Sequence, residues 1–424
     1  MSTFGPLEGG TVQVARDVSR YFGMNATSSI SEIEMKKVTG GFKWPNAVRT
    51  VPEDFFGSKA FLVPDGFLVP LHKSGGLFLV FVDDDLQETA KCTISAKSGF
   101  FHHKGIWIDI DLDGLPDLLT SRSDAKAGDG ELLWLKNPGG VSASQCGEWE
   151  ERVITKGPDV LFAVLGDDGF EGKSKRSPAL HTAEEEEEEE DTPESHRLTV
   201  FASEFFNKRL VRYSINRPEG TVEDSLVIDD TLDKVYSVTP VDLNVDGWMD
   251  LLVNNHQMDS DSTKGMVVAY EALDKDGKAF KRHTLLEGFE NKKSKSIIPV
   301  PNMSPGFPVP VWPRKVQQGH EPPHVLIAGD GDFTLHLLRP KTVTATGGGV
   351  AGTSSSSFSF SFEYEHEKVL EADGTIAFAV PFDLDGDGWT EVVAPNYDTG
   401  KVEVFGFTDA KGEELGAVSE LIVA

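Results

Sequence analysis

Three segments of this chain follow one plan, and that repetition constrains the fold more than any other feature. They are "GIWIDIDLDGLPDLLTSR" (Gly105 to Arg122), "VTPVDLNVDGWMDLLVNNHQ" (Val238 to Gln257) and "AVPFDLDGDGWTEVVAPNYD" (Ala379 to Asp398). Each is an apolar run, then D-x-[DN]-x-D-G-x-x-[DE], then a second apolar run. One such match is an accident, whereas three with the same flanks describe a repeated unit.

Degenerate copies lie between them. "GPDVLFAVLGDDGF" begins a unit whose second strand resumes after a glutamate tract, at "LTVFASEFFNKRLVRYSI". "KSIIPVPNMSPGFPVPVWP" with "HVLIAGDGDFTLHLL" is a unit with a Pro-rich loop in place of the acidic one, and "WPNAVRTVPEDFFGSKAFLVPDGFLVPLHKSGGLFLVFVD" supplies a first. Six units are legible, each reading as four short strands: one before the loop, one after it, and a following pair such as "GELLWLKNP" and "EWEERVITK". Helical periodicity is nearly absent. Short strands repeating at this spacing with Gly and Asp turns predict an all-β fold, a single β-propeller of four-stranded blades over residues 1–424. A pair of β-sandwiches is the alternative, but it would not need the repeat. Low-complexity insertions are expected at about 171–196 and 342–358.

Charge narrows the partners. The formal net charge of −29 argues against nucleic acid and anionic membranes, although the tract Glu184 to Asp191 inflates it. No signal peptide or membrane span is visible, so a cytoplasmic protein is the plain expectation. Two cysteines, Cys92 and Cys146, are too few for a disulfide framework.

A loop with acids at positions 1, 3, 5 and 9 and glycine at 6 suits a hard cation, with position 7 giving a backbone carbonyl. The expected ligands are Asp109, Asp111, Asp113, Leu115 and Asp117; then Asp242, Asn244, Asp246, Trp248 and Asp250; then Asp383, Asp385, Asp387, Trp389 and Glu391. The bland reading is an Asp-Gly hairpin turn. Against it, clustered carboxylates repel one another unless a cation intervenes. Up to three structural calcium ions are expected. An EF-hand is excluded because Thr120, Val253 and Ala394 stand where position 12 needs Glu.

If each loop joins two antiparallel strands at one end of a blade, residues about five beyond it lie at the other end. The second strands of the units end there on Asp65, Arg122, Glu204, Asn255, Asp330 and Asn396, with His256 and Tyr397 following two of them. His102 and His103 sit at the same end. Strand ends are ordinarily just solvated, yet a polar ring at the propeller channel favours a site. His102, His103, Arg122, Glu204 and His256 are the candidate catalytic residues, and Asp65, Asn255, Asp330, Asn396 and Tyr397 the candidate ligand-binding ones. A histidine can take the proton beside a carbonyl or carboxylate, and an arginine or a further Zn2+ or Mg2+ can stabilise the charge that develops.

These units resemble FG-GAP or VCBS repeats of integrin-alpha-type propellers. "FFHHKGIWIDIDLDGLPDLLTSR", "DLLVNNHQ", "SPGFPVPVWP" and "HVLIAGDGDFTLHLL" are more narrowly similar to the propeller domain of aldos-2-ulose dehydratases and related sugar lyases. That resemblance implies seven blades and a carbon–oxygen lyase acting on a sugar or oligosaccharide by β-elimination. The alternative is a non-catalytic propeller that binds a protein or glycan.

Overall fold

The computed structural model describes residues 2–3, 9–21, 33–66, 74–126, 128–165, 196–293, 302–341, 360–407 and 415–422. Both expected low-complexity insertions fall outside these, apart from residue 196. Among the described residues helix is limited to Glu53–Phe56 and two short 3-10 segments. The strands form six four-stranded antiparallel sheets in which sequence neighbours pair, together with a three-stranded sheet. This is a β-propeller with six four-stranded blades, corresponding to the six units legible in the sequence. The seventh four-stranded blade implied by the resemblance is not found among the described residues.

The chain divides into two compact units, 1–15 with 35–238, and 16–34 with 239–424. In the first unit, blade one spans 49–95, blade two 101–156 and blade three 161–229. In the second, blade five spans 308–371 and blade six 380–422; blade four spans 235–287, with its first strand straddling the boundary.

Blade two shows why these sequences make blades. Its third strand, Glu131–Lys136, buries Leu132, Leu133, Trp134 and Leu135 completely, so it must be covered on both faces. Its outer strand, Glu150–Lys156, is mostly exposed and correspondingly charged. Leu118 and Leu135 pack with Leu62, Leu77 and Leu79 of blade one. Ile106, Leu119 and Trp134 pack with Phe162, Val200 and Tyr213 of blade three. Replacing any of these buried leucines by alanine costs about 2–5 kcal/mol. At Gly105 an added Cβ would stand 2.8 Å from a Leu62 methyl, so glycine permits the close approach of blades one and two.

The three-stranded sheet was not foreseen. Val12, Val38 and Phe42 from it cover Val63, Val80 and Val82 of blade one. In the second unit Val241 and Leu252 of blade four meet Val325 and Ile327 of blade five. On blade five's other side, Leu326 and Leu337 meet Val392 and Phe405 of blade six. Cys92 and Cys146, too few for a framework, form one disulfide between blades one and two.

Candidate functional site

Each acidic loop joins the first two strands of its blade, as the spacing predicts. In blade two the strands Phe101–Ile108 and Asp117–Ser123 pair with Ile108 opposite Asp117. The loops share one backbone. Position 6 is left-handed in all three, with φ of 87° at Gly114, 88° at Gly247 and 87° at Gly388. Position 4 is left-handed too: 60° at Leu112, 58° at Val245 and 79° at Gly386. The first acid accepts the position-6 amide, at 2.9 Å from Gly114 to Asp109, 2.9 Å from Gly247 to Asp242 and 3.0 Å from Gly388 to Asp383. The fifth-position acids accept the N–H groups of Leu115, Trp248 and Trp389 at 2.9, 2.8 and 2.8 Å.

Two loops bring carboxylates together. Ligand oxygens of Asp109, Asp111 and Asp117 lie within 4.8 Å of one another, as do those of Asp383, Asp385 and Glu391. These acidic clusters can hold a metal ion. Asp111 Oδ1 is buried without a hydrogen-bond partner, an oxygen that a cation would satisfy. Burial pushes Asp117 up to about 6, with Asp111 adding to it. Burial likewise pushes Glu391 to about 7, helped by Asp385, Asp387 and Asp383. In the second loop Asn244 donates its amide to Asp246 at 2.8 Å. Burial, then Asp246 and Asp242, lift Asp250 to about 7.

At the other blade ends the residues differ sharply in how far their polar groups are already used. Asp65 accepts the backbone N–H groups of Lys43 and Trp44 at 2.9 and 2.8 Å. His102 and Arg122 stand opposite each other in register. His102 is 1% exposed; Nε2 meets Ser95 Oγ and Nδ1 meets Thr120 Oγ1, both at 3.2 Å. Burial, with Arg122 adding, holds His102 at about 3; burial and then Lys104 do the same to His103. Arg122 is clamped by Glu131 at 2.7 Å and Glu151 at 2.5 Å. Glu204 is fully buried and receives Tyr213, Arg209 and Asn207. Asn255 closes a turn through Met266 N and Lys264 O. Asn396 does so through the amides of Asp398 and Thr399.

His256, Asp330 and Tyr397, all in the second unit, form a different kind of group. His256 Nδ1 lies 2.8 Å from the Pro305 carbonyl, which can only accept, so that nitrogen carries the proton. The other ring nitrogen, Nε2, stands 3.7 Å from Asp330 Oδ2. Asp330 is itself held in a left-handed backbone, φ 52°, and its N–H is bonded to the Ile376 carbonyl at 2.7 Å. Burial, then the charge of Asp398, lifts its carboxyl to about 7. Burial and then Asp330 push the Tyr397 hydroxyl to about 12, although 44% of that residue remains open to solvent, which screens part of the push. The arrangement can accept, hold and return one proton near neutrality.

The sequence reading missed several members of these networks. Asp398 and the Pro305 carbonyl tune the His256 pair, while Ser95 and Glu151 consume His102 and Arg122. Asp398 lies two residues beyond the predicted Asn396, so the strand-end pattern pointed to its neighbourhood. Nothing in the local sequence marks Pro305 as an acceptor for His256, 49 residues away.

No family model matches this chain, and no curated protein matches it. Among solved structures, it is similar to the periplasmic gluconolactonase of Pseudomonas aeruginosa, with TM-score 0.50 and 12% identity over 100% of this chain and 95% of that one. It is also similar to the Dos1 propeller (TM-score 0.40, 8% identity, 92% and 70% covered). A further likeness is to hydrazine synthase of Kuenenia stuttgartiensis (TM-score 0.42, 13% identity, 87% and 86% covered). At these identities the first likeness shows a shared propeller fold.

Proposed function

We propose that this propeller is a carbohydrate-active lyase or dehydratase, stabilised by calcium in its acidic loops, with His256 and Asp330 at the centre of its chemistry. The observation that carries the reading is the His256–Asp330 pair: one nitrogen is fixed by a carbonyl, and the other faces a carboxyl poised near neutrality. The FG-GAP or VCBS likeness of the loops supports calcium, and the sugar-lyase phrases support the substrate class. The gluconolactonase name of the structural neighbour points to sugars as well.

In the reaction, His256 Nε2 takes the proton from the carbon beside a carbonyl or carboxylate. The electron pair becomes a carbon–carbon double bond as the β carbon–oxygen bond breaks. Protonated Asp330, or Tyr397 beside it, returns a proton to the leaving oxygen. Among the described residues no third His, Cys, Asp or Glu joins this pair within ligand spacing, so acid–base chemistry fits these residues better than a Zn2+ or Mg2+ centre. Calcium fits the acidic loops because the donors are hard oxygens, and in blade six those of Asp383, Asp385 and Glu391 lie within 4.8 Å of one another. Its role there is to neutralise the carboxylates and close the hairpin.

Among the described residues no helix is long and apolar enough to cross a membrane. The Cys92–Cys146 bridge favours an oxidising compartment over the cytoplasm expected from the sequence. The test is turnover of uronate-containing and 2-keto sugars, followed by the absorbance of the unsaturated product. H256A and D330N are expected to abolish it while both variants stay folded and calcium content stays unchanged. Saturable sugar binding with no unsaturated product, in wild type as in the variants, establishes the non-catalytic alternative instead.

A further inference from the structure

The stretch "NNHQ" closes the second strand of blade four, Asp250–Asn255, and its residues alternate in direction. Asn255 turns one way and closes the turn to Met266 and Lys264. Asn254 and His256 turn the other way, toward residues 304–307, which lead into blade five. The proposed reaction uses His256 and gives no part to Asn254, whose side chain is fully buried.

The contacts of Asn254 are specific. Its Nδ2 donates to the Pro305 and Gly306 carbonyls, both at 2.9 Å, and the Asn255 carbonyl lies at 3.1 Å. Three acceptors around one end of the amide identify that end as the NH2 group. The Pro305 carbonyl is also the acceptor for His256 Nδ1, at 2.8 Å. A carbonyl oxygen has two lone pairs, so Asn254 and His256 fill it between them. Asn254 thereby fixes the direction from which the imidazole N–H must come.

Residues 304–307 are held at both ends, which leaves their middle to Asn254. Ser304 and Gln257 exchange backbone bonds at 2.9 and 3.0 Å. Phe307 donates to Ala377 and accepts from Ala328, both at 3.2 Å. In between, Pro305 has no N–H to give. Gly306 is packed so closely that an added Cβ would stand 2.6 Å from the Ala377 oxygen. Ile376, the neighbour of Ala377, takes the Asp330 N–H on its carbonyl at 2.7 Å. One short run therefore anchors both the Pro305 segment and Asp330, so a tilt of the Pro305 peptide moves His256 against its partner.

We propose that Asn254 is the positioning residue for His256: through the shared Pro305 carbonyl it holds the imidazole in one tautomer and one orientation toward Asp330. This rests on the reading of His256 as the base of the elimination. The bland reading is a buried amide that only satisfies two carbonyls in the connection between blades. It predicts lost stability and no change at the imidazole.

The experiment is proton–nitrogen correlation NMR of the full chain labelled at histidine, with the His256 signals assigned by their absence from H256N. In wild type the neutral ring should carry its proton on Nδ1 alone. N254A, and the isosteric N254D beside it, should give a mixture of tautomers and lower kcat for the elimination about tenfold, with KM within about twofold. S304A removes a buried hydroxyl from the same segment, bonded at 2.7 Å to Asn291 Oδ1, and should keep the wild-type tautomer. An unchanged tautomer in N254A and N254D, or the same mixture in S304A, overturns the proposal. Loss of the fold in both Asn254 variants establishes the bland reading. A wild type that turns over no sugar defeats the lyase reading instead, and the tautomer still decides for or against Asn254.

Discussion

The loops of blades two and six carry the same acidic pattern and the same backbone, yet they neutralise their charge differently. In the register of each blade one third-strand residue faces the ninth position of the loop. Gly406 faces Glu391 in blade six; in blade two Leu118 pairs with Leu135, which places Lys136 opposite Asp117. Lys136 Nζ bonds both Asp111 and Asp113. Its amine is held far above the ordinary lysine value by those two bonds, and it holds Asp113 below the usual carboxylate range. Blade six has only a glycine there, and the nearby Arg314 instead stacks on Trp389 at 4.0 Å. Blade four, where the same register brings Glu271 to that position, engages it with His283 at 2.7 Å and Lys281 at 3.3 Å. The motif therefore sets the shape of the loop, and the third strand decides whether an ammonium of the chain itself meets its charge.

The largest test of that contrast is proton linkage in chelator. Glu391 titrates near 7 in the fold against 4.5 for a free glutamate, and Asp117 near 6 against 3.8. A carboxyl raised in this way disfavours the fold above its folded value, and the penalty vanishes below its unfolded value. For Glu391 the window runs from about 7 down to 4.5 and its size is about 3 kcal/mol. Asp159, Asp250 and Asp330 titrate near 7 as well, so the quantity to read is a difference between variants. Urea unfolding of E391Q in chelator should lose the gain in stability between pH 7 and pH 5 that wild type shows. D117N should lose the gain at lower pH instead. Identical profiles for wild type and E391Q would break the comparison.

Calcium provides the next effect. If blade six draws its cation from solution, calcium at a hundred times its dissociation constant stabilises the chain by about 2.7 kcal/mol, and chelator removes that amount. D385N, which removes a ligand from the trio in blade six, should abolish most of this response; D111N in the lysine-bridged loop should change it far less. Equal losses in the two variants would mean that Lys136 does not substitute for a cation.

The blades were legible because two-faced burial leaves a mark on local sequence: "ELLWLK" is continuous apolar core, whereas "EERVITK" is a solvated outer strand. The acidic loops were legible for a similar reason, since glycine at position 6 answers a backbone need within the loop itself. Residues that act across blades or strands left no such mark. Lys136 is 25 residues from Asp111, and only the pairing register reveals that it faces the loop. His102 and Arg122 looked like a site because histidine and arginine at a strand end suggest chemistry, while the partners that occupy them, Ser95 and Glu151, lie on other strands. The three-stranded sheet built from "GTVQV" and "KKVTGGF" carries no acidic loop, so the repeat did not announce it.

Removing the lysine in blade two sharpens the comparison with the smallest expected change. K136M keeps the stem of the side chain, which packs beside the loop, and deletes only the ammonium. Its side chain is 28% exposed, so the lost ion pairs are worth about 1 kcal/mol in chelator, near the upper end for partly exposed bridges. The more telling consequence lies in calcium stoichiometry. With the ammonium gone, Asp109, Asp111 and Asp117 present the same kind of trio as Asp383, Asp385 and Glu391, and Leu112 and Gly386 hold the same left-handed turn. K136M should therefore bind one more calcium ion than wild type, or bind it at least tenfold more tightly, and recover its lost stability on adding calcium. A variant that loses stability yet gains no calcium response would show that the two loops differ by more than this one cation.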